Sequence, residues 1–264
     1  MLRTSALFAL LSLFLLPLAG PVGALDPAPV QPGLAAWSQG DAEILKEFKK
    51  YFKKYKDPIQ RVEAVMALAD VEDPQVVPVL VKLLRDKEAS VRQTAINVLA
   101  TFGTRPPIDA LLLELAEADK SETRTGILQA IEKGRYHHDG VATTVCLEDK
   151  DWSVRREALR VLGNLNNPEL IPLMVPLATD GESGVRTACL DALAQMGAKE
   201  VLPLAQAALV DEVWQVRSSA IHALGLVRDI SSVPLLIARM ELEEGRLIVD
   251  LATALDQLTG RGPI

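Results

Sequence analysis

Aspartate–arginine pairs recur along the chain, and a carboxylate beside a guanidinium could act as an acid–base pair. Each aspartate lies six residues before its arginine, in the pairs Asp86 and Arg92, Asp149 and Arg155, Asp180 and Arg186, and Asp211 and Arg217. A catalytic pair is seldom duplicated four times along one chain. We therefore interpret these residues as a structural ladder, in which an aspartate–arginine pair in each loop ties one repeating segment to the next.

Metal ligands and nucleophiles are candidates at two other places. The adjacent His137, His138 and Asp139 suggest a metal site, but neighbouring residues on a helix point about 100° apart and rarely chelate together. The two cysteines, Cys146 and Cys189, fall on different repeating segments, too far apart for the Cα separation of a disulfide. We expect a turn at the histidines, two buried free thiols, and no metal, cofactor or catalytic group.

Two tryptophans occupy equivalent positions. Trp152 and Trp214 each lie three residues before a ladder arginine, where other segments have Ala89 and Ser183, so the fold does not require tryptophan there. Exposed tryptophan is a preferred anchor at protein interfaces. The two residues are therefore candidate partner-binding residues; alternatively, each indole folds over the neighbouring loop.

Internal repetition is the strongest signal in the sequence. Six arginines follow one another at spacings of 31, 32, 31, 31 and 31 residues: Arg61, Arg92, Arg124, Arg155, Arg186 and Arg217. Apolar residues near each arginine fall at helical spacing, as at Val91, Ala95 and Leu99. Periods of 20–50 residues are typical of stacked structural repeats.

A second helix follows the first in each segment and begins near a proline in most of them; repeat 3 lacks the proline expected near Val141. The prolines are Pro78, Pro172, Pro203 and Pro234. Proline is tolerated in a first helical turn because the missing N–H has no partner there. Between the helices lie Gly103, Asn166 and Gly197, which readily adopt the left-handed conformation that ends a helix. Each unit is therefore predicted to be helix A, a tight turn, helix B and a short loop.

This pattern, Asp-x5-Arg with Ala-x3-Leu and a proline-led second helix, resembles HEAT-like repeats of the short bacterial type, the phycobilin-lyase HEAT-like repeats. The resemblance covers residues 57–243, with a degenerate unit to residue 260. It implies an all-α, right-handed α-solenoid of about six helical hairpins with a capping helix at each end. Deoxyhypusine hydroxylases of this family hold iron with His-Glu pairs, but Glu follows none of the three histidines, which excludes that activity.

The N-terminal region has the pattern of a secretory signal peptide. Residues 1–24 combine a basic start, an apolar run and small side chains before a cleavage site near Ala24. The apolar run of 13 residues is shorter than the roughly 20 that span a bilayer. We expect an exported protein, periplasmic or secreted, with no transmembrane span and a Pro/Gly-rich linker at residues 25–40.

A basic, aromatic stretch follows the linker. Residues 46–56 read KEFKKYFKKYK, with six lysines and one glutamate in a chain of net charge −7. On a helix one face would carry Ile44, Phe48, Tyr51, Phe52 and Tyr55. We expect residues 41–56 to cap the repeats, as residues 244–260 do at the other end. Contact with an anionic surface, lipid or glycan, is the open alternative; its lysines would be Lys46, Lys49, Lys50 and Lys53.

The sequence favours a non-enzymatic exported scaffold that binds a protein or peptide through the solenoid surface. The acidic charge argues against nucleic acid, whose phosphates would repel most of the surface. The second helices of repeats 4 and 5, ELIPLMVPLA and EVLPLAQAALV, are almost without charge. Two other functions stay open: an enzyme of the bilin lyase or isomerase type, and an envelope-surface binder acting through residues 46–56.

Overall fold

The computed structural model describes residues 39–71, 73–102 and 105–260, and in these ranges the chain is helical, without β-strands. The signal peptide and most of the linker predicted from the sequence lie outside the described residues, as does Gly103. Within the described ranges, none of the helices combines the length and the apolar composition that crossing a bilayer requires.

Fourteen α-helices follow one another in the described residues: α1 (Gln39–Tyr51), α2 (Pro58–Met66), α3 (Val76–Leu83), α4 (Ala89–Leu99), α5 (Arg105–Glu117), α6 (Ser121–Gly134), α7 (Val141–Thr144), α8 (Trp152–Leu165), α9 (Ile171–Met174), α10 (Ser183–Gln195), α11 (Val201–Ala208), α12 (Trp214–Val227), α13 (Val233–Met240) and α14 (Arg246–Thr259). Short 3₁₀ turns extend several of them: Phe52–Lys54, Val145–Glu148, Pro168–Leu170, Val175–Thr179 and Ile230–Ser232.

Helices α2 to α13 form six helical hairpins, which we number repeats 1 to 6. The even-numbered helices α2 to α12 carry the periodic arginines and are the A helices; the odd-numbered helices α3 to α13 are the B helices. Each A helix packs against the A helix of the next repeat, and α14 continues this series after α12. The predicted all-α solenoid of stacked hairpins is confirmed.

The turn between the A and B helices recurs in the left-handed conformation. Asn166 and Gly197 have φ of 51° and 64°, as their residue types predict. Arg135 and Arg228, at the equivalent positions of repeats 3 and 6, have φ of 50° and 57°. A β-carbon disfavours this conformation, so the stacked helices impose it on the two arginines.

Small residues bring neighbouring A helices close together. A β-carbon added to Gly163 of α8 would lie 2.8 Å from the Ala192 Cβ of α10. A β-carbon on Gly225 of α12 would lie 3.4 Å from the Ala254 Cβ of α14. The A helices therefore form a closely packed layer in which a larger side chain has no room.

The N-terminal helix α1 packs on repeat 1 through a face that differs from the predicted one. Leu45 and Phe52 are buried in the core, and Phe48 packs against it. Ile44 and Tyr55, expected on the same face, are exposed. The chain tightens into a 3₁₀ turn at Phe52–Lys54, which rotates Tyr55 away from the buried face. Ile44 precedes this turn; there α1 buries the neighbouring Leu45 instead.

Candidate binding surfaces

The ladder residues pair with a different repeat from the one that the six-residue spacing suggests. Arg155 Nε and Nη2 donate to the Asp180 carboxylate of the next repeat, both at 2.8 Å. Asp149, six residues before Arg155, contributes its backbone carbonyl, which accepts from Nη1 at 2.7 Å. The predicted carboxylate pairing within one loop is therefore wrong, and each arginine joins its own loop to the next one.

Each ladder aspartate also accepts a hydrogen bond from a backbone N–H, which orients its carboxylate toward the preceding repeat. Asp180 Oδ1 accepts from the backbone N–H of Glu182 at 2.9 Å, which closes the turn that begins α10. Burial works to raise the pKa of the Asp180 carboxyl, but the hydrogen bonds from Arg155 and Glu182 outweigh it, so the pKa lies below its ordinary value. The aspartate stays charged and fully bonded, which does not suit an acid–base catalyst.

The same arrangement recurs along the repeats, with one exception. The pairs are Arg61 with Asp86, Arg124 with Asp149, Arg155 with Asp180, Arg186 with Asp211, and Arg217 with Glu243. Repeat 3 has Ala118 where repeats 2, 4, 5 and 6 have an aspartate, and Arg124 donates to the Ala118 carbonyl at 2.8 Å. Arg92 consequently bonds only the carbonyls of Asp86 and Lys87, without a carboxylate partner in the described part of the chain.

The two tryptophans are the first residues of α8 and α12, with exposed fractions of 40% and 46%. The Trp152 ring lies under the Arg156 guanidinium, 5.0 Å from the ring centroid. The same ring covers Gly184 of the next repeat, whose added β-carbon would lie 3.2 Å from it. Trp152 thus packs partly over the neighbouring repeat while one side stays open to solvent, and partner binding by Trp152 and Trp214 stays a prediction.

The outward surface of the A helices, which we call the A face, is polar and bonded from repeat to repeat. Side-chain hydrogen bonds link successive A helices, among them Glu132 to Arg160 (3.4 Å), Asn164 to Gln195 (3.0 Å), Ser218 to Asp250 (2.8 Å), and Asp191 to Ser219. A cleft of about 330 Å³ lies along α8 and α10, lined by Arg156, Arg160 and Asp191. Desolvation in the cleft raises the pKa of the Asp191 carboxyl, against the Ser219 hydrogen bond. The polar groups of this face mostly satisfy one another.

The outward surface of the B helices in repeats 3 to 6 is apolar, and we call it the B face. Its residues are Val141, Val145, Leu173, Pro176, Leu204, Ala207, Leu235 and Ala238, all at least partly exposed. Leu173 and Leu235 have exposed fractions of 51% and 44%. Helices α7, α9 and α11 contain no charged residue, and Arg239 of α13 is paired with Glu243.

The 31-residue period keeps the B face in register. On the inner side of the same helices, one equivalent residue per repeat is fully buried: Thr143, Met174, Ala205 and Leu236. Because these residues hold each helix in the same rotation, the outward apolar residues occupy equivalent positions in successive repeats. Charge-free B helices in repeats 4 and 5 were visible in the sequence; the extension to repeats 3 and 6 depends on which residues face outward.

The histidines and cysteines contribute to packing. His138 is partly buried in the turn before α7, and its Nδ1 accepts from the Gly140 N–H at 3.1 Å. Among the described residues, no group of three or more His, Cys, Asp or Glu is placed to hold a metal ion. Cys146 and Cys189 are buried and free, as their spacing predicts, and burial raises the pKa of each thiol to about 12. Both thiols are therefore unreactive near neutral pH.

The periodic hairpins, their carboxylate ladder and the two surfaces define an α-solenoid repeat protein. A family profile for HEAT repeats matches residues 45–132, 142–225 and 185–255. The chain belongs to the HEAT repeat family. No curated protein matches the chain significantly in sequence.

Solved structures share the fold. Kap121p bound to Pho4p matches with a TM-score of 0.63 at 14% identity, over 82% of this chain and 29% of that one. An engineered protein matches with a TM-score of 0.51 at 21% identity, over 75% of this chain and 60% of that one. A designed armadillo repeat protein in complex with the peptide (KR)4 matches with a TM-score of 0.50 at 17% identity, over 71% and 99%. At these identities the likeness shows the solenoid fold alone.

Proposed function

We propose that the protein is an exported, non-enzymatic scaffold that binds another protein or a peptide on its B face. The observation that carries the proposal is the row of uncharged, outward-facing apolar side chains on four successive B helices. Contiguous exposed apolar surface is rare on soluble proteins unless it is an interaction site. Stacked repeats provide such extended surfaces.

The contrast with the A face supports the choice of surface. The polar residues of the A face bond to one another across repeats, so a partner would have to replace bonds that already exist. The B face offers apolar area whose removal from water stabilises a complex by about 25 cal/mol per Å². Kap121p and the designed armadillo repeat protein, which share the fold, were each solved with a bound polypeptide.

The experiment is site-specific photo-crosslinking in the cell that exports the protein. A photoreactive amino acid at Leu173 of the B face is compared with one at Leu226, an exposed leucine of the A helix α12. We expect a discrete crosslinked partner from position 173 and none from position 226. Equal crosslinking at both positions, or none at position 173, would contradict the proposal.

Two parts of the proposal have separate tests. Export rests on the pattern of residues 1–24, and N-terminal sequencing of the mature protein should begin just after Ala24. Trp152 and Trp214 lie at the starts of A helices. Replacing both with alanine tests whether a partner extends beyond the B face. If it does, the double variant binds the crosslinked partner more weakly than the wild type.

A second candidate function rests on the exposed lysines of α1 and the following turn. Lys46, Lys49, Lys50 and Lys53 are all solvent-exposed. Such a cluster suits an anionic surface, and its binding would weaken as salt screens the charges. Sedimentation with anionic vesicles at low and high salt tests this candidate separately from the B face.

A further inference from the structure

We infer that the partner of the B face is a separate polypeptide segment with apolar side chains and a row of lysines or arginines along one edge. The inference rests on the proposed function of the B face. It adds the sign of the partner's charge and the edge of the B face along which the partner's basic residues lie.

The charges beside the B face are distributed unequally. Exposed carboxylates line one edge, where the B helices end and the next A helices begin: Glu148, Glu182, Glu212, Glu241 and Glu244, which we call the acidic rim. None of these five takes part in an ion pair within the described residues. The exposed bases along this edge are Lys150, in the loop after α7, and Arg246, the first residue of α14.

The opposite edge, at the turns from A to B helices, carries both signs. Exposed acids such as Glu169 and Glu200 alternate there with exposed bases, among them Arg135, Lys199 and Arg228. A bound segment would therefore meet a net negative potential on one side only. The unequal edges predict that its basic residues lie along the acidic rim.

The stability of the helices does not explain the whole acidic rim. Glu182 and Glu212 precede A helices and lie near ladder arginines, which favours a negative charge at both positions. Glu148 and Glu241, in contrast, lie at the C-terminal ends of B helices, where the helix dipole disfavours a carboxylate. Their presence costs the fold a little stability, and a cationic partner would reverse the sign of that effect.

The dimensions of the B face set the length of the segment. Packed helices lie about 8–10 Å apart, so four B helices span roughly 30 Å. An extended chain covers about 3.3 Å per residue, and about ten residues therefore reach across the face.

The test measures binding of three fluorescent dodecapeptides to the purified protein by anisotropy. One alternates leucine and lysine, the second leucine and glutamate, and the third serine and lysine. We expect the leucine–lysine peptide to bind at least about tenfold more tightly than the other two. Leu173→Gln with Leu235→Gln should remove most of this binding, whereas Leu226→Gln on the A face should leave it unchanged.

Matched charge variants test the acidic rim. Glu148→Gln, Glu241→Gln and Glu244→Gln together should weaken the leucine–lysine peptide severalfold at low salt and flatten the salt dependence. The control is Glu43→Gln, Glu47→Gln and Glu63→Gln, which removes the same charge from exposed residues at the N-terminal end. Equal weakening in both triple variants would show that only net charge matters, and would overturn the inference.

The remaining outcomes separate this inference from the proposed function. Tight binding of the leucine–glutamate peptide that depends on Leu173 and Leu235 would overturn the cationic partner and leave the B face as the binding surface. If the Leu173→Gln, Leu235→Gln variant binds every peptide as the wild type does, both the inference and the proposed function are overturned. A dimer in sedimentation that the two leucine variants dissociate would make a second copy of the chain the occupant, which also overturns the inference.

Discussion

Side chains on the A face bond to their neighbours from repeat to repeat, whereas those on the B face end in solvent without polar partners. Both surfaces arise from the same 31-residue unit, and the difference lies in how closely the helices approach. Glycine and alanine let A helices such as α8 and α10 pack tightly, so the polar residues beside the contact can reach one another. The B helices are mostly shorter and begin at prolines, and their outward residues contribute little to the fold.

The comparison teaches which residues of a repeat protein are explained by stability. The ladder and the A face keep one repeat in place on the next, and their residues have partners inside the protein. The outward leucines and valines of the B face have none, although polar residues would fit there equally well. We attribute their presence to binding, and substitutions that act on one surface and spare the other can test this.

The largest effect is expected at the N-terminal end of the A-helix stack. Phe52→Ala should lower the free energy of unfolding by about 3–5 kcal/mol, because the ring is buried and lies under the Arg61 guanidinium at 4.4 Å. Tyr55→Ala, at an exposed ring, should change the free energy by less than about 0.5 kcal/mol. Urea denaturation measures both. Similar losses in the two variants would contradict the packing of α1 through Phe52.

The contact between A helices should also resist any increase in side-chain volume. Gly163→Leu places a large side chain against Ala192 and should cost about 3 kcal/mol or more. Ala207→Leu adds a similar volume on the B face, where the residue is exposed, and should be within about 0.5 kcal/mol of the wild type. Thermal and urea unfolding provide the measurement. If Ala207→Leu proved as destabilising as Gly163→Leu, the B face would be a packed surface and the comparison would fail.

The ladder provides its own control because one of its arginines, Arg92, has no carboxylate partner among the described residues. Arg155→Ala should destabilise by about 1–3 kcal/mol, since it leaves the partly buried Asp180 carboxylate unpaired. Arg92→Ala removes hydrogen bonds to two carbonyls only and should cost about 1 kcal/mol or less. Denaturant midpoints of the two variants give the comparison. Equal losses would show that the bonds to the loop carbonyls, and not the links between repeats, stabilise the stack.

The sequence predicted the fold well because its signals repeat. The arginine period, the prolines of the B helices and the residue types of Asn166 and Gly197 each predict local structure, and their agreement in register predicts the solenoid. The left-handed Arg135 and Arg228 could not be predicted from residue type, since only the period marks those positions. Asp180 has arginines six residues on and 25 residues back, and spacing alone cannot decide which of them its carboxylate faces.

The proposed binding surface was predictable only in part. The absence of charge in the second helices of repeats 4 and 5 can be read from the sequence. The same apolar residues, however, would be equally compatible with a buried helix. Exposure depends on which side of each helix meets the A layer, as the contrast between Leu173 and Met174 shows. The acidic rim is even less visible, because its glutamates are scattered along the chain and become one edge only when the repeats stack.

The smallest effect is expected in the turn from α6 to α7, which connects an A helix to a B helix. Burial lowers the pKa of His138 from its ordinary value of 6.5, against the attraction of Asp139 and with a small contribution from His137. A base whose pKa is lower in the folded state binds protons more tightly when the protein is unfolded. Its contribution to the free energy of unfolding is therefore highest above pH 6.5 and falls as the pH drops below that value.

His138→Asn retains an acceptor for the Gly140 N–H and cannot titrate. Stability measured by urea unfolding from pH 7.5 to 5 should fall more for the wild type than for this variant, while His137→Asn at the exposed neighbour should follow the wild type. A wild type and a His138→Asn variant with parallel pH profiles would show that the turn joining the A and B helices opens to solvent and does not hold His138 in a buried site.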